Sequence, residues 1–476
     1  MAGPPDRVRV AVVGGGISGV AAAWFLREGL GADADIILFE QRSAIGGHLR
    51  VSEVAGVPVD EGAESLLARR PEAVDLARAV GLGDSIVHPA DVGAGIWSGG
   101  EIRPLPKATV MGVPADPSSL GGLLTDAEIA EAAQRDRPAV PGMPIEADVS
   151  IGRLVAERMG RAVADRLVEP LLGGVYAGRA DQLSLDATVP ALGAAAREHH
   201  SLAAAVQSVR QSAPAGGGPV FAGVAGGVGR LPEAVAKASG AGVRTGVTVR
   251  ELSRTASGWR LVTGPVPEPE VMTADAVVLA VPAAPAARLL RGVADAAAVE
   301  LAAVETASMA IVTLALPASA FPVAPASSGF LVPPAEGRMI KAVTFSSAKW
   351  PWLRDQAGDL VLVRASIGRH GQTHDLQRDD SELAEIALAE LRAATGVSGP
   401  AVDVRVTRWG GALPQYAVGH LGRVERIRAA VSAVPGLAVC GAVYAGVGVA
   451  ACIGTAREAA GRVVADVRER HVRIKA

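Results

Sequence analysis

Aromatic residues are scarce in this chain: six Phe, six Trp and three Tyr among 476 residues. A binding site built as a cage of rings is therefore disfavoured. Cysteine is nearly absent, with only Cys440 and Cys452. Two cysteines cannot build a disulfide framework, and no Cys/His grouping has zinc-ligand spacing. No metal is expected, and a reducing compartment fits. Lysine is also rare: Lys107, Lys237, Lys341, Lys349 and Lys475 are the five. Arginine carries most of the positive charge, and the formal net charge is −3. That balance leaves no electrostatic footprint for nucleic acid. The first residues, MAGPPDRVRV, lack the apolar core of a signal peptide. Residues 434–456 carry no charge, yet they contain Pro435 and five glycines. They read as a buried strand, loop and helix rather than a membrane span. The expected location is cytoplasmic, with contact at the inner membrane face compatible but not required.

Small apolar residues are what the chain has in excess, and they begin at once with VRVAVVGGGISGVAAAWFLREG. Residues 8–13 are β-branched and apolar, the pattern of a buried parallel strand. Gly14, Gly16 and Gly19 follow in G-x-G-x-x-G spacing, with Gly15, Ile17 and Ser18 between them. The first glycine permits a tight turn. The second lets the backbone approach a pyrophosphate, and the third lets a helix pack on the strand. A helix over 17–29 then aims its N-terminus at the phosphates. A second strand, DIILFE, ends in Glu40. An acid about 20 residues past the last glycine is placed to grip a ribose hydroxyl. Directly afterwards, QRSAIGGHL pairs Gly46 with Gly47. This second glycine motif resembles that of flavoprotein oxidases of the amine-oxidase type. It points to FAD, with Arg42 near the phosphates.

The remaining parts of such a fold are dispersed. Residues 242–252 alternate as one strand, and GWRLVTG reads as its hairpin partner. Residues 274–290 read as a buried strand and a helix. GLAVCG supplies a last strand, followed by a glycine loop and a closing helix from about Val449. Residues 115–215 read mostly helical, with Thr125 and Asp126 as caps and amphipathic spacing over 153–169. Residues 212–230 read as a flexible crossing back. Residues 295–400 alternate strands with a helix at 380–395, a mixed sheet with a helical cover. The fold class expected is α/β: a Rossmann-like FAD-binding domain of the amine-oxidase type, a mixed α+β substrate domain and a helical subdomain. Their expected extents are 1–95 with 220–292 and 405–476, 96–114 with 293–404, and 115–219.

The chain resembles the oxygen-dependent protoporphyrinogen/coproporphyrinogen oxidases, most of all the Gram-positive bacterial coproporphyrinogen III oxidases. GAESLLARRPEAVDLARAVGLGD, GGVYAGRADQLSLDATVPAL, FAGVAGGVGRLPEAVA, KAVTFSSAKWP, RWGGALPQYAVGH and YAGVGVAACI carry the resemblance nearly end to end. It implies FAD, a porphyrinogen substrate, dioxygen as acceptor and hydrogen peroxide as by-product, within haem biosynthesis. It is compatible with a monomer or homodimer and with transient hand-off to a ferrochelatase. It puts Gly14 to Gly19 on the pyrophosphate and Glu40 with Gln41 at the ribose end. His48 follows Gly47 there. Gly62, Ala63, Glu64 and Ser65 lie along the flavin, Val249 meets the adenine side through its backbone, and Trp409 sits by the cofactor. Val447, Gly448 and Val449 close over the isoalloxazine end. The flavin carries the chemistry, so no catalytic side chain is expected.

A flat apolar ring edged with propionates asks for an apolar pocket with cations at its rim. Lys107 and Arg103, in RPLPKATVMG, are the first candidates, and Tyr176 is a candidate to line the ring pocket. Lys341 and Lys349 read as surface residues. Three positions depart from the family pattern. His48 replaces a larger or cationic residue, GVGVAAC replaces a glycine-valine-proline-aspartate run, and Ala442 stands where related flavoproteins place an Asp. The alternatives are a protoporphyrinogen oxidase, a flavin amine oxidase, a desaturase- or mutase-like flavoprotein, and an FAD-binding protein without activity. An amine oxidase would want an aromatic pair beside the flavin, and the C-terminal loop offers only Tyr444.

Overall fold

Small residues decide how the first helix meets the sheet. The structure, a computed structural model, describes residues 7–137, 147–212 and 218–475. Strand Arg9–Val13 lies at the centre of a five-stranded sheet. Asp35–Phe39 and Gly242–Arg244 flank it on one side, Ala276–Leu279 and Leu437–Val439 on the other. All four pairings are parallel. Helix Ile17–Leu30 returns across this sheet with Val20, Ala21, Ala22, Ala23 and Leu26 fully buried. The closing helix Val449–Lys475 packs against it. The contact is tight enough that a Cβ on Gly29 would come within 2.6 Å of Val464 Cγ2. Gly14, at φ +110°, lies where a Cβ would meet the Ala280 carbonyl oxygen at 2.4 Å. A Cβ on Gly19 would overlap the Gly14 carbonyl oxygen at 1.8 Å. The protein's own packing demands these two glycines.

A seven-stranded sheet forms the second half. Its order is Asp403–Pro414, Thr306–Pro317, Leu360–Ile367, Ile340–Phe345, Gly329–Leu331, Gly95–Ser98, Glu101–Pro104. Only Gly329–Leu331 and Gly95–Ser98 pair parallel. Helix Asp380–Thr395 covers one face, with Leu383, Ala387 and Leu391 packed on Ala310, Val312 and Leu314. Alternation along Thr306–Pro317 sends Met309 and Ile311 to the opposite face, where they border a cavity.

Several expectations are corrected here. Residues 242–252 are not one strand. Gly242–Arg244 ends the parallel sheet, and Val249–Thr255 starts an antiparallel one with Gly258–Thr263. Gly246, at φ +71°, turns the chain between them. Residues 212–230 are more than a crossing. Phe221–Val224 is a strand between Leu66–Leu67 and Ile86–Val87, and the Asp60 carboxylate accepts the Val228 and Gly229 N–H groups at 3.0 and 3.1 Å. Residues 213–217 of that stretch lie outside the described residues. The helix expected over 153–169 breaks at Gly160, φ +87°, and continues through a wide turn at Ala164–Val168 into helix Glu169–Tyr176. The domain boundary expected at 405 falls inside Asp403–Pro414, which pairs with Thr306–Pro317 in the seven-stranded sheet. Of the two proposed caps, Thr125 is the N-cap and forms a capping box with Glu128. Among the described residues no helix is long and apolar enough to cross a membrane.

Gly19→Ala is expected to cost about 3 kcal/mol, the upper range for forcing an extra carbon into a filled site. Denaturant unfolding measures it; an unchanged midpoint would remove the close helix–turn contact.

Candidate cofactor and substrate site

The glycine turn, the end of the second strand and the start of the last helix meet at one edge of the parallel sheet. There they wall a cavity of about 450 Å³, within the roughly 300–1,000 Å³ of ligand sites. Gly14, Gly16, Ile17 and Ser18 form part of the wall, and Glu40, Gln41 and Arg42 another part. Gly47, His48, Gly62 and Ala63 line it as well, as do Val249, Trp409, Val447 and Val449. Five other expected residues do not line it: Gly15, Gly19, Glu64, Ser65 and Gly448, the last of them exposed. Gly15 approaches Glu40 so closely that a Cβ would lie 2.9 Å from the Glu40 Cβ. Gly448 precedes the last helix, its carbonyl accepting the Cys452 N–H at 3.0 Å.

The Glu40 carboxylate is buried and oriented by backbone. Oε2 accepts the Gly15 N–H at 2.7 Å, and Oε1 accepts the Arg42 N–H at 2.8 Å. Each oxygen keeps a lone pair for a ligand hydroxyl. Helix Ile17–Leu30 presents the open N–H groups of its first turn beside this carboxylate, with no acidic side chain in that turn. Gly16 differs from its neighbours. A Cβ there would meet nothing nearer than Gly47 Cα at 3.9 Å, so the fold itself does not require a glycine. It would instead project into the cavity, where a phosphate on the helix N-terminus must lie. These residues fit a dinucleotide.

Around the ring of Trp409 two expected residues gather. The Arg42 guanidinium lies 5.7 Å from its centroid, and His48 meets it edge-on at 5.1 Å. Trp409 Nε1 donates to the Glu61 carbonyl at 2.9 Å. His48 faces the cavity. Desolvation, then the Arg42 charge, lower its pKa to about 4, so the imidazole is neutral at pH 7. The loop after the last strand is clamped from behind. Tyr416 donates its hydroxyl to the Ala442 carbonyl and accepts the Gly446 N–H at 2.8 Å. His420 stacks on Tyr416 at 4.0 Å and donates Nε2–H to the Val443 carbonyl at 2.8 Å.

Glu64 and Ser65 point away from the cavity. The Glu64 carboxylate bonds Lys349 Nζ at 2.7 Å, Arg364 Nη1 at 2.8 Å and Ser346 Oγ at 3.1 Å. Ser65 accepts a second Lys349 bond at 2.9 Å. Burial opposes ionisation, but the two cations hold the Glu64 carboxyl well below the usual carboxylate range. Arg364 also donates to the Gly62 carbonyl. Lys349 is therefore no surface residue, and neither is Lys341, which is 3% exposed. Lys341 lies on the seven-stranded sheet and Lys349 just beyond it, where burial needs a partner. An Arg inside LVLVRASIG was the available signal for Arg364.

The first substrate candidates do not reach the cavity. Lys107 is exposed, and its carbonyl accepts from Arg210 at 3.0 Å. Arg103 pairs with Glu101 on the outer strand of the sheet. Tyr176 is buried behind the cavity-lining Val175, against Tyr416 at 5.5 Å.

Comparison with known proteins follows from this geometry. The family described as flavin containing amine oxidoreductase matches residues 17–464. The chain belongs to that family. It is 40% identical over 463 residues to the coproporphyrinogen III oxidase of Mycobacterium tuberculosis, covering 96% of this chain and 97% of that one. The coproporphyrinogen III oxidase of Bacillus subtilis is 29% identical over 459 residues, covering 93% and 95%. A crystal structure from Exiguobacterium sp. 255-15, assigned as a protoporphyrinogen oxidase, superposes with a TM-score of 0.86 at 31% identity, covering 98% of this chain and all of that one. The chain thus belongs with the porphyrinogen-oxidising members of its family, and its cofactor is a flavin.

Gly16→Val is expected to give folded protein that purifies without flavin. Absorbance near the flavin bands together with an unfolding curve checks both halves of that statement; stoichiometric flavin in the variant would contradict the phosphate position. Arg364→Met is expected to destabilise by about 3 kcal/mol, since it strands a buried carboxylate beside a single cation. Adding Glu64→Gln should recover part of that loss in a double-mutant cycle.

Proposed function

We propose that the protein oxidises coproporphyrinogen III to coproporphyrin III in the cytoplasm, using FAD and dioxygen, and releases hydrogen peroxide. The observation that carries this reading is the extent of the 40% identity, which runs over 96% of the chain. It therefore takes in the seven-stranded sheet as well as the nucleotide half. When bound, the flavin accepts electrons in pairs from the substrate and passes them to dioxygen.

The chain's own part is positioning. Gly16 and the first turn of Ile17–Leu30 receive the pyrophosphate, and Glu40 takes the ribose hydroxyls. Val249 faces the adenine. Val447 and Val449 lie at the flavin ring with Ala442, whose missing carboxylate leaves backbone and helix N-terminus to hold that end. Met309, Ile311 and Leu413 border the cavity from the substrate half. Their apolar side chains exclude water and suit the faces of a large tetrapyrrole. No proton-transferring side chain is assigned. The product is a metal-free porphyrin, so a ferrochelatase is its chemical recipient, and the catalytic unit is a monomer or homodimer.

Anaerobic mixing with coproporphyrinogen III should bleach the flavin absorbance, and oxygen should restore it with coproporphyrin fluorescence and peroxide. A faster response to protoporphyrinogen would favour the alternative substrate. Bleaching by benzylamine would favour an amine oxidase. Flavin-loaded protein indifferent to every porphyrinogen would remove the reading.

A further inference from the structure

The substrate half of the cavity wall contains no charged side chain among the described residues. The two cations on the wall, Arg42 and Arg288, both belong to the nucleotide half. A substrate edged with propionates still needs a cation at its other end.

Lys341 lies directly behind that neutral wall. It occupies a register irregularity in strand Ile340–Phe345, between Ile340 and Ala342 in their pairing with Leu360–Ile367. Among the described residues it has no carboxylate partner. Among the described residues its ammonium makes one hydrogen bond, from Nζ to the Gly173 carbonyl at 3.2 Å. That carbonyl already accepts the Ala177 N–H at 3.0 Å, so it is not orphaned when the ammonium turns away. Two of the three ammonium donors remain free. The charge that acts on it is the like-signed Arg369, itself tied to the Val332, Arg338 and Ile340 carbonyls. Burial, then Arg369, lower the Lys341 pKa to about 7. An anion placed beside it would reverse both effects.

The material between Lys341 and the cavity is thin. Gly173 and Gly174 lie side by side in helix Glu169–Tyr176, and Gly174 and Val175 line the cavity. A helical glycine costs about 1 kcal/mol relative to alanine. Nothing in the protein requires it here: a Cβ on Gly173 would find its nearest neighbour at 3.8 Å, and one on Gly174 at 3.5 Å. Both are ordinary contacts. The pair removes two side chains from the helix that separates the Lys341 ammonium from the cavity.

We propose that Lys341 receives one propionate of the porphyrinogen past the Gly173–Gly174 pair, and thereby sets the preference for a tetracarboxylate over a dicarboxylate substrate. This rests on the functional reading above and assigns a specificity residue within it.

The test uses flavin-loaded enzyme with Lys341→Met and Lys341→Gln. Gln keeps a donor for the Gly173 carbonyl but carries no charge. Two readouts are taken: KM and kcat for coproporphyrinogen III and protoporphyrinogen IX, and the affinity for the finished porphyrins by fluorescence titration. Both variants should weaken coproporphyrin binding and raise KM for coproporphyrinogen at least tenfold. Protoporphyrin values should stay within about threefold, and kcat should hardly move. Equal losses for both ligands, or Gln retaining wild-type selectivity, would make Lys341 a helix-end cap and overturn the proposal. Flavin content and melting temperature show whether each variant is folded; should Met fail to fold, Gln alone decides. Wild-type protein that oxidises neither porphyrinogen fails the functional reading itself. Wild-type activity with variants blind to carboxylate number fails only the role of Lys341.

Discussion

The Glu64 carboxylate ties the two halves of the molecule together. Glu64 leaves the nucleotide half and enters a socket made by Lys349, Arg364 and Ser346 of the substrate half. Such a cluster is weak evidence for net stability, because desolvating three charges offsets most of their attraction. Its consequence is geometric. Arg364 also holds the Gly62 carbonyl, so the segment that turns Gly62 and Ala63 toward the cavity is fixed against the seven-stranded sheet. The cavity lies between these halves, and its width follows from that register.

Glycines divide by what they answer to. Gly14 and Gly19 are required by close backbone contacts within the turn. Gly15 is required by the approach of Glu40. Gly16, Gly173 and Gly174 are required by nothing in the protein. The first belongs to the nucleotide fingerprint, and the other two stand in a helix that would be more stable with alanine. Gly16 and Gly174 line the cavity, so the backbone there is open to a ligand.

The nucleotide half was legible in the sequence because its signal is local. Strand, glycines, helix and Glu40 follow one another within a few dozen residues, and each has a stereochemical reason to be there. The start of the last helix at Val449 was legible for the same reason. The ion cluster was not. Glu64 and Arg364 are 300 residues apart, and neither motif nor period links them. Reading Lys341 and Lys349 as surface residues followed the ordinary preference of lysine. That preference yields where strand Ile340–Phe345 buries Lys341 and where Glu64 gives Lys349 a buried partner. The break at Gly246 was hidden because two short strands in different sheets share one alternating pattern.

Two helix N-termini open on the same cavity, those of Ile17–Leu30 and Val449–Lys475, and neither has an acidic residue in its first turn. A carboxylate there would help satisfy the open N–H groups and the dipole. Leaving both unfilled costs stability in the empty protein and favours a ligand with negative charge at two separated points. A dinucleotide has its pyrophosphate for the first. A flavin ring placed at the second would bring negative charge there when reduced, which the fixed helix dipole would stabilise. The clamp of Tyr416 and His420 on the 441–446 loop then has a clear physical role. It keeps the second helix start from relaxing toward solvent, so that the dipole is already oriented before charge develops.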